Sequence, residues 1–393
     1  MALPSGKIGY NDLVADYIAV DTQPDTGKYV RVLKNRIDKS YELFSYPKAS
    51  WIEDPSILDD SLITTGVAYN ALSGKAPTSH DHSTEDISNF GDWAVISDVN
   101  NNIVFKTLDI GSWTAVANSK FGTSGVVGVC YGNGKFVAVG FGGKIAYSSD
   151  GINWTAANSP VTVTLTDICY GNGGFVAVGN QKIVYSMDAV TWTLVTDPGS
   201  DYNFAGSVCY GNGKFVAGGT GGKMAYSLDG INWTLVSDSK FTNLGHIYGV
   251  RYGNGKFIAS GSSGCMVCSA NGVTWTAVSD SKFGSSYINN ICYGNGKFVA
   301  VGEAGKIAYS SDGINWTAVS DSKFGSSYIS NICYGNGKFV AVGEAGKIAY
   351  SPDGINWIAV SDSKFGDLSI SSVCYGNGKF VAVGRNGKIS YCS

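Results

Sequence analysis

The phrase CYGNGKFVAVG begins at Cys130, and close copies begin at Cys169, Cys209, Arg251, Cys292, Cys333 and Cys374. The steps between copies run from 39 to 42 residues. A chain that writes one phrase seven times builds one structural unit seven times, because a catalytic site needs a single set of groups in a single place. Each unit is legible as four short strands. In the copy from Ile288 they are INNICY, KFVAV, KIAYS and WTAV, separated by GNG, GEAG and SDGIN. Glycine and Asn-Gly or Asp-Gly pairs suit tight reversals with positive φ. Four strands in a period of about 41 residues predict one blade of an all-β propeller.

The tryptophans support the count. Trp113, Trp154, Trp192, Trp233, Trp275, Trp316 and Trp357 each open a fourth strand, and one blade alone cannot hide so large a ring. Stacked neighbours must bury it, so the array must close on itself. The chain enters the array with a lone tryptophan strand, residues 111–116, and leaves it after three strands, residues 372–392. Joined, these ends complete a seventh blade, the arrangement known as velcro closure. Residues 93–107 resemble second and third strands and read either as an extra hairpin or as a partial eighth blade.

Composition narrows the function classes. A net charge of -3 and only four arginines (Arg31, Arg36, Arg251 and Arg385) argue against a nucleic-acid surface. No stretch approaches the roughly 18 apolar residues of a membrane span, and no signal peptide is visible, so a soluble product made in a cytoplasm is expected. Six cysteines share one repeat position, which Arg251 occupies in the remaining copy. They read as small buried hydrophobes in separate blades, far apart. Cys265 and Cys268 form a CxxC, but strand alternation would send them to opposite faces, against a metal or redox role.

The turns divide into two sets. The first-to-second turn (GNG) and the third-to-fourth turn (SDGIN) fall on one face of a propeller and are nearly constant. The second-to-third turn and the long fourth-to-first connection fall on the other face and diverge among copies. Binding chemistry is expected on that divergent face. Its candidate ligand-binding residues are Phe141, Tyr202, His246, Tyr248, Tyr287, Glu303, Tyr328, Glu344 and Arg385. Residues 279–319 and 320–360 differ only at Asn289/Ser330, Ser311/Pro352 and Thr317/Ile358, which implies a duplication of blades.

Two resemblances add to this reading. At YSSDGINW, Ser148, Asp150, Gly151 and Trp154 resemble the Asp-box of sialidases and related propellers. The likeness recurs at Ser227, Asp229, Gly230 and Trp233, at Ser310, Asp312, Gly313 and Trp316, and at Ser351, Asp353, Gly354 and Trp357. The match is one residue shorter than the family pattern, and YSMDAVTW and CSANGVTW are degraded copies. In that family the box is a structural turn away from catalysis. The segment YNALSGKAPTSHDHSTEDISNF in turn resembles tailed-bacteriophage tail fibres, where a similar phrase follows a short trimeric coil. Propellers of these units are also familiar in phage receptor-binding proteins.

The second resemblance implies three regions: residues 1–58, a partly β tail-attachment region; 59–92, a short helical, trimeric stalk; and 93–393, the propeller. It implies a homotrimeric virion component that joins other tail or baseplate proteins through its amino terminus and meets a host-surface glycan or protein with the propeller, with no nucleic acid and no membrane insertion. His80 and His82 read either as two solvated imidazoles or, as the fibre family implies, as ligands from three chains to an iron-like transition metal on the trimer axis. No other cofactor is expected. Three functions stand: non-enzymatic receptor recognition, a structural baseplate or fibre part, and a sialidase-like glycosidase. The last lacks the arginine triad of that family, and its only propeller glutamates, Glu303 and Glu344, occupy one repeat position in different blades.

Overall fold

In the computed structural model, residues 112–195, 206–241 and 245–393 are described in full, preceded by five strands between residues 17 and 107. His80, His82, the rest of the expected stalk, and Tyr202 lie outside the described residues. The chain divides into two compact units, Met1–Asp109 and Ile110–Ser393. In the first unit Tyr17–Gln23, Gly27–Asn35 and Tyr41–Tyr46 form an antiparallel sheet in chain order. Trp93–Ser97 and Ile103–Thr107 pair only with each other, as a two-stranded sheet.

The second unit is a seven-bladed propeller, each blade a four-stranded antiparallel sheet. Blades 1 to 6 begin at Val126, Asp167, Ser207, Ile247, Ile288 and Ile329. Blade 7 takes Ile370–Gly376, Lys379–Gly384 and Ile389–Cys392 from the end of the chain, and its fourth strand, Thr114–Ala115, from the start of the array. That strand pairs Thr114 with Tyr391 and Ala115 with Ser390. The two ends of the array therefore meet in one sheet.

The core is divided among seven interfaces. The second strand of each blade is apolar without alternation because a neighbouring blade covers both its faces. In blade 5, Phe298 and Ala300 pack into a cluster with Ile258 and Met266 of blade 4. Val299 and Val301, pointing the other way, join Phe339, Ala341 and Ala349 of blade 6. Trp316 lies with the former cluster and is 4% exposed. Between blades 7 and 1 the same arrangement joins Val381 and Val383 to Phe136 and Trp154. Ring closure is thus one more copy of the common interface.

Along the inside of the ring each first strand packs against the first strands of its two neighbours. There the repeated Tyr-Gly step has its reason. A Cβ built on Gly132 would lie 2.1 Å from Tyr170 Cγ of the next blade. The same clash links Gly171 to Tyr210, Gly211 to Tyr252, Gly253 to Tyr293, Gly294 to Tyr334 and Gly335 to Tyr375. Gly376 then meets Tyr131 at 2.0 Å and completes the circle. Any side chain at this position would hold two blades apart.

Candidate binding face

The constant face is constant because its turns tie neighbouring blades together. The GNG reversal has Asn and Gly both at positive φ, for example 45° at Asn295 and 72° at Gly296, the conformation a two-residue hairpin needs. The side chain of Asn295 then donates to the Pro352 carbonyl of the next blade (3.4 Å), and Lys297 Nζ donates to the Asp353 carbonyl (3.1 Å). Asn377 of blade 7 reaches Ser149 of blade 1 in the same manner (3.3 Å).

The receiving turn is held by its own serine and aspartate. Ser310 Oγ accepts the Gly313 N–H and donates to Asp312, whose Oδ1 accepts the Ile314 and Asn315 N–H groups at 2.8 Å. The Asn315 N–H, then that of Ile314, holds the Asp312 carboxyl well below the usual carboxylate range. At Asp188 the Thr191 and Val190 N–H groups lower it to about 2. Burial works against ionisation at Asp229, but the Asn232 N–H and its companions outweigh it and bring the carboxyl to about 2. The two degraded copies form the same turn. Ala189 takes φ 66° in place of glycine, and Asn271 Oδ1 accepts the Val273 and Thr274 N–H groups at 2.9 Å.

The opposite face carries the divergent turns, though part of it is scaffold too. Ser-Lys-Phe recurs at Ser119, Ser239, Ser281, Ser322 and Ser363. Its lysine takes positive φ (68° at Lys282) and its phenylalanine is buried, Phe283 at 0% exposure. Ser281 Oγ donates to the Gly264 carbonyl of the preceding blade (2.7 Å), and Lys306 Nζ donates to the Phe283 carbonyl (2.9 Å). The connection was expected to vary throughout. Its first half is instead a fixed plug, and the freedom lies after it.

Beyond that plug the structure brings four expected residues together. The His246 and Tyr248 rings stack with centroids 5.9 Å apart and planes within 6°. Tyr248 meets Tyr287 of blade 5 at 5.8 Å. The Tyr287 N–H donates to the Glu303 carboxylate (3.0 Å), which fixes the turn that displays the ring. His246 and Tyr287 are exposed, Tyr287 at 41%, and Tyr248 is half-buried between them. The row therefore crosses from blade 4 to blade 5. Tyr328 and Glu344 repeat the Tyr–Glu pair on blade 6 (3.4 Å). Phe141 is 52% exposed on blade 1, and Arg385, whose N–H donates to the Ser369 carbonyl, is exposed on blade 7.

The cysteines need a correction. Cys130, Cys169, Cys209, Cys292, Cys333 and Cys374 stand in separate blades but all on the inner first strands, close enough that the charge of one would raise the thiol of another. Burial keeps them protonated, with Cys209 and Cys292 pushed up to about 12. Cys265 and Cys268 lie on opposite faces of blade 4, packing respectively toward blade 3 and blade 5. Among the described residues no group of three or more His, Cys, Asp or Glu side chains forms a metal site.

Sequence reasoning missed a polar cluster at this inner wall. Asp167, Ser207 and Arg251 come from the first strands of blades 2, 3 and 4. Ser207 Oγ donates to Asp167 Oδ2 (2.5 Å) and accepts from Arg251 Nη1 (3.1 Å). Burial opposes the guanidinium charge, but nearby Asp167 outweighs it and raises Arg251 above its ordinary value. The only signal in the sequence was an arginine in a slot otherwise filled by cysteine.

No protein-family model matches the sequence, and no curated protein matches it. Solved structures do resemble it. YCF48 from Cyanidioschyzon merolae aligns with a TM-score of 0.56 and 16% identity, over 72% of this chain and 98% of that one. A structure of YCF48 bound to D1 peptide aligns at 0.57 and 16%, over 72% and 95%. A streptogramin B lyase aligns at 0.61 and 13%, over 72% and 97%. At these identities the likeness concerns the propeller fold alone.

Proposed function

We propose that the propeller is a non-enzymatic recognition module, the receptor-binding part of a phage tail fibre, that binds a host-cell-surface glycan or protein through its divergent face. One observation carries this reading: the His246–Tyr248–Tyr287 row on the divergent face, beyond the Ser-Lys-Phe plug. Tyrosine offers a large, rigid, amphipathic surface at low conformational cost, which suits the face of a sugar ring or a protein loop. Glu303 and Glu344 each accept a backbone N–H of their own blade, which gives them a turn-holding role and weakens the case for a hydrolytic pair. The solved complex of YCF48 with D1 peptide is a precedent for a propeller holding a polypeptide. Residues 1–92 would then join the homotrimer to other tail proteins within the virion.

The test compares binding of the full chain and of a His246→Ala/Tyr248→Ala/Tyr287→Ala variant to intact host cells and to a glycan array. We expect the variant to lose binding at least about tenfold, since aromatic anchors of this kind carry a disproportionate share of interface energy, with an unchanged melting temperature. Equal binding by both proteins would defeat the assignment to this row. Absence of any surface binding, with stable capture of a tail protein, would replace receptor recognition by a docking role.

A further inference from the structure

The polar cluster of Asp167, Ser207 and Arg251 on the inner first strands has no part in the aromatic row. Cysteine fills the Arg251 position in the six other blades, so the strand itself requires no charge there. Placing a guanidinium on an inner strand is costly unless its charge and donors are met. They are met on one side only. Arg251 Nη1 donates to the Val250 carbonyl (2.8 Å) and to Ser207 Oγ (3.1 Å), and stands 3.6 Å from Asp167 Oδ2. Nη2 and Nε have no hydrogen-bond partner among the described residues, while a quarter of the side chain is exposed (25%).

The Asp167 carboxylate is meanwhile filled by donors other than the arginine. Its Oδ1 accepts the Ile168 N–H (2.9 Å), and its Oδ2 accepts the Val208 N–H (3.0 Å) and the Ser207 hydroxyl. It therefore orients one edge of the guanidinium and leaves the other edge free. Asp167 and Ser207 sit two positions nearer the start of their strands than the Arg251 slot. Strands of this kind enter from the divergent face, so Arg251 leans toward the mouth of the ring on that face. The thiols flanking it, Cys209 and Cys292, are neutral.

We propose that the free edge of Arg251 binds a small carboxylate ligand at the inner wall of the ring. A planar fork of donors matches a carboxylate through two parallel hydrogen bonds. The adjacent Asp167 charge makes the site neutral overall, so it favours a monoanion over a dianion such as sulfate. Arg251 and the strands that hold it are all present in one chain, and the site stands whether or not the aromatic row binds a receptor.

Thermal melting and titration calorimetry on the full chain test this with acetate, glucuronate, glucose and sulfate at matched ionic strength. Acetate and glucuronate should raise the melting temperature in proportion to occupancy, while glucose and sulfate should not. Arg251→Cys restores the residue of the other blades and should weaken carboxylate binding at least about tenfold, as expected when one partner of a charged hydrogen-bonded pair is removed. A stronger response to glucuronate than to acetate would assign the site to an acidic sugar, and an equal response to the carboxylate alone. If Arg251→Cys does not fold, Arg251→Lys keeps the charge without the fork and should show a similar loss. The proposal is overturned if neither carboxylate stabilises the wild-type protein, or if the variant that folds binds them as well as wild type.

Discussion

Replacing Gly294 by alanine tests the central feature of the fold, the contact that repeats at every blade boundary. Gly294 does not take positive φ, so its own backbone tolerates a side chain and the cost arises entirely between blades. The new Cβ would lie 2.1, 2.4 and 2.5 Å from Tyr334 Cγ, Cδ2 and Cδ1. Carbon atoms rest about 3.5–4.0 Å apart, so the ring must withdraw by ~1.4 Å or more. Tyr334 cannot swing away freely, because it packs on Phe339 at 4.8 Å within the interface between blades 5 and 6. Overpacking costs about 1–3 kcal/mol, occasionally more, and a closed ring places this case at about 3 kcal/mol. At about 2–4 °C per kcal/mol the melting temperature should fall by ~6–12 °C. Gly296→Ala is the matched control: φ is +72° and a Cβ would meet nothing within 4 Å, so only the left-handed backbone is penalised, by about 1–2 kcal/mol. Tyr334→Ala added to Gly294→Ala should recover part of the loss, a coupling that a double-mutant cycle reads directly. Equal stability of Gly294→Ala and wild type, or a smaller loss than in Gly296→Ala, would refute the reasoning.

Phe283→Ala should destabilise by about 3–5 kcal/mol in denaturant unfolding, because it empties a fully buried plug; a loss under ~1 kcal/mol would return the Ser-Lys-Phe segment to ordinary loop. The carboxyls of the third-to-fourth turns make stability pH-dependent: Asp188 and Asp229 have folded values near 2, below the ordinary ~3.9. Their contribution is present above pH ~4 and lost as pH falls toward ~2, so melting temperature should drop across that window, and less steeply in Asp229→Asn. Asn271 already shows that an amide oxygen can hold this turn, so Asp229→Asn should cost little at neutral pH while Asp229→Ala costs about 1 kcal/mol.

The chain's periodicity determined the fold by itself. Four strands and a tryptophan in each period, with a fourth strand displaced to the start of the array, left a closed ring as the way to bury seven equal apolar surfaces. The division into a constant and a divergent face was also legible, because turns alternate between faces in any antiparallel meander. Single copies misled where a side chain's task is performed in the next blade. Ser-Lys-Phe looked like variable loop because its phenylalanine is buried against neighbours that sequence does not place beside it. The shared cysteine position looked dispersed because sequence records steps of about 41 residues, whereas the ring turns those steps into a short arc around one centre. Only the tertiary structure could bring Tyr248 to Tyr287, or Arg251 to Asp167 across two blade boundaries. Local geometry repeats with the sequence, but which odd residues meet depends on the curvature accumulated over successive interfaces.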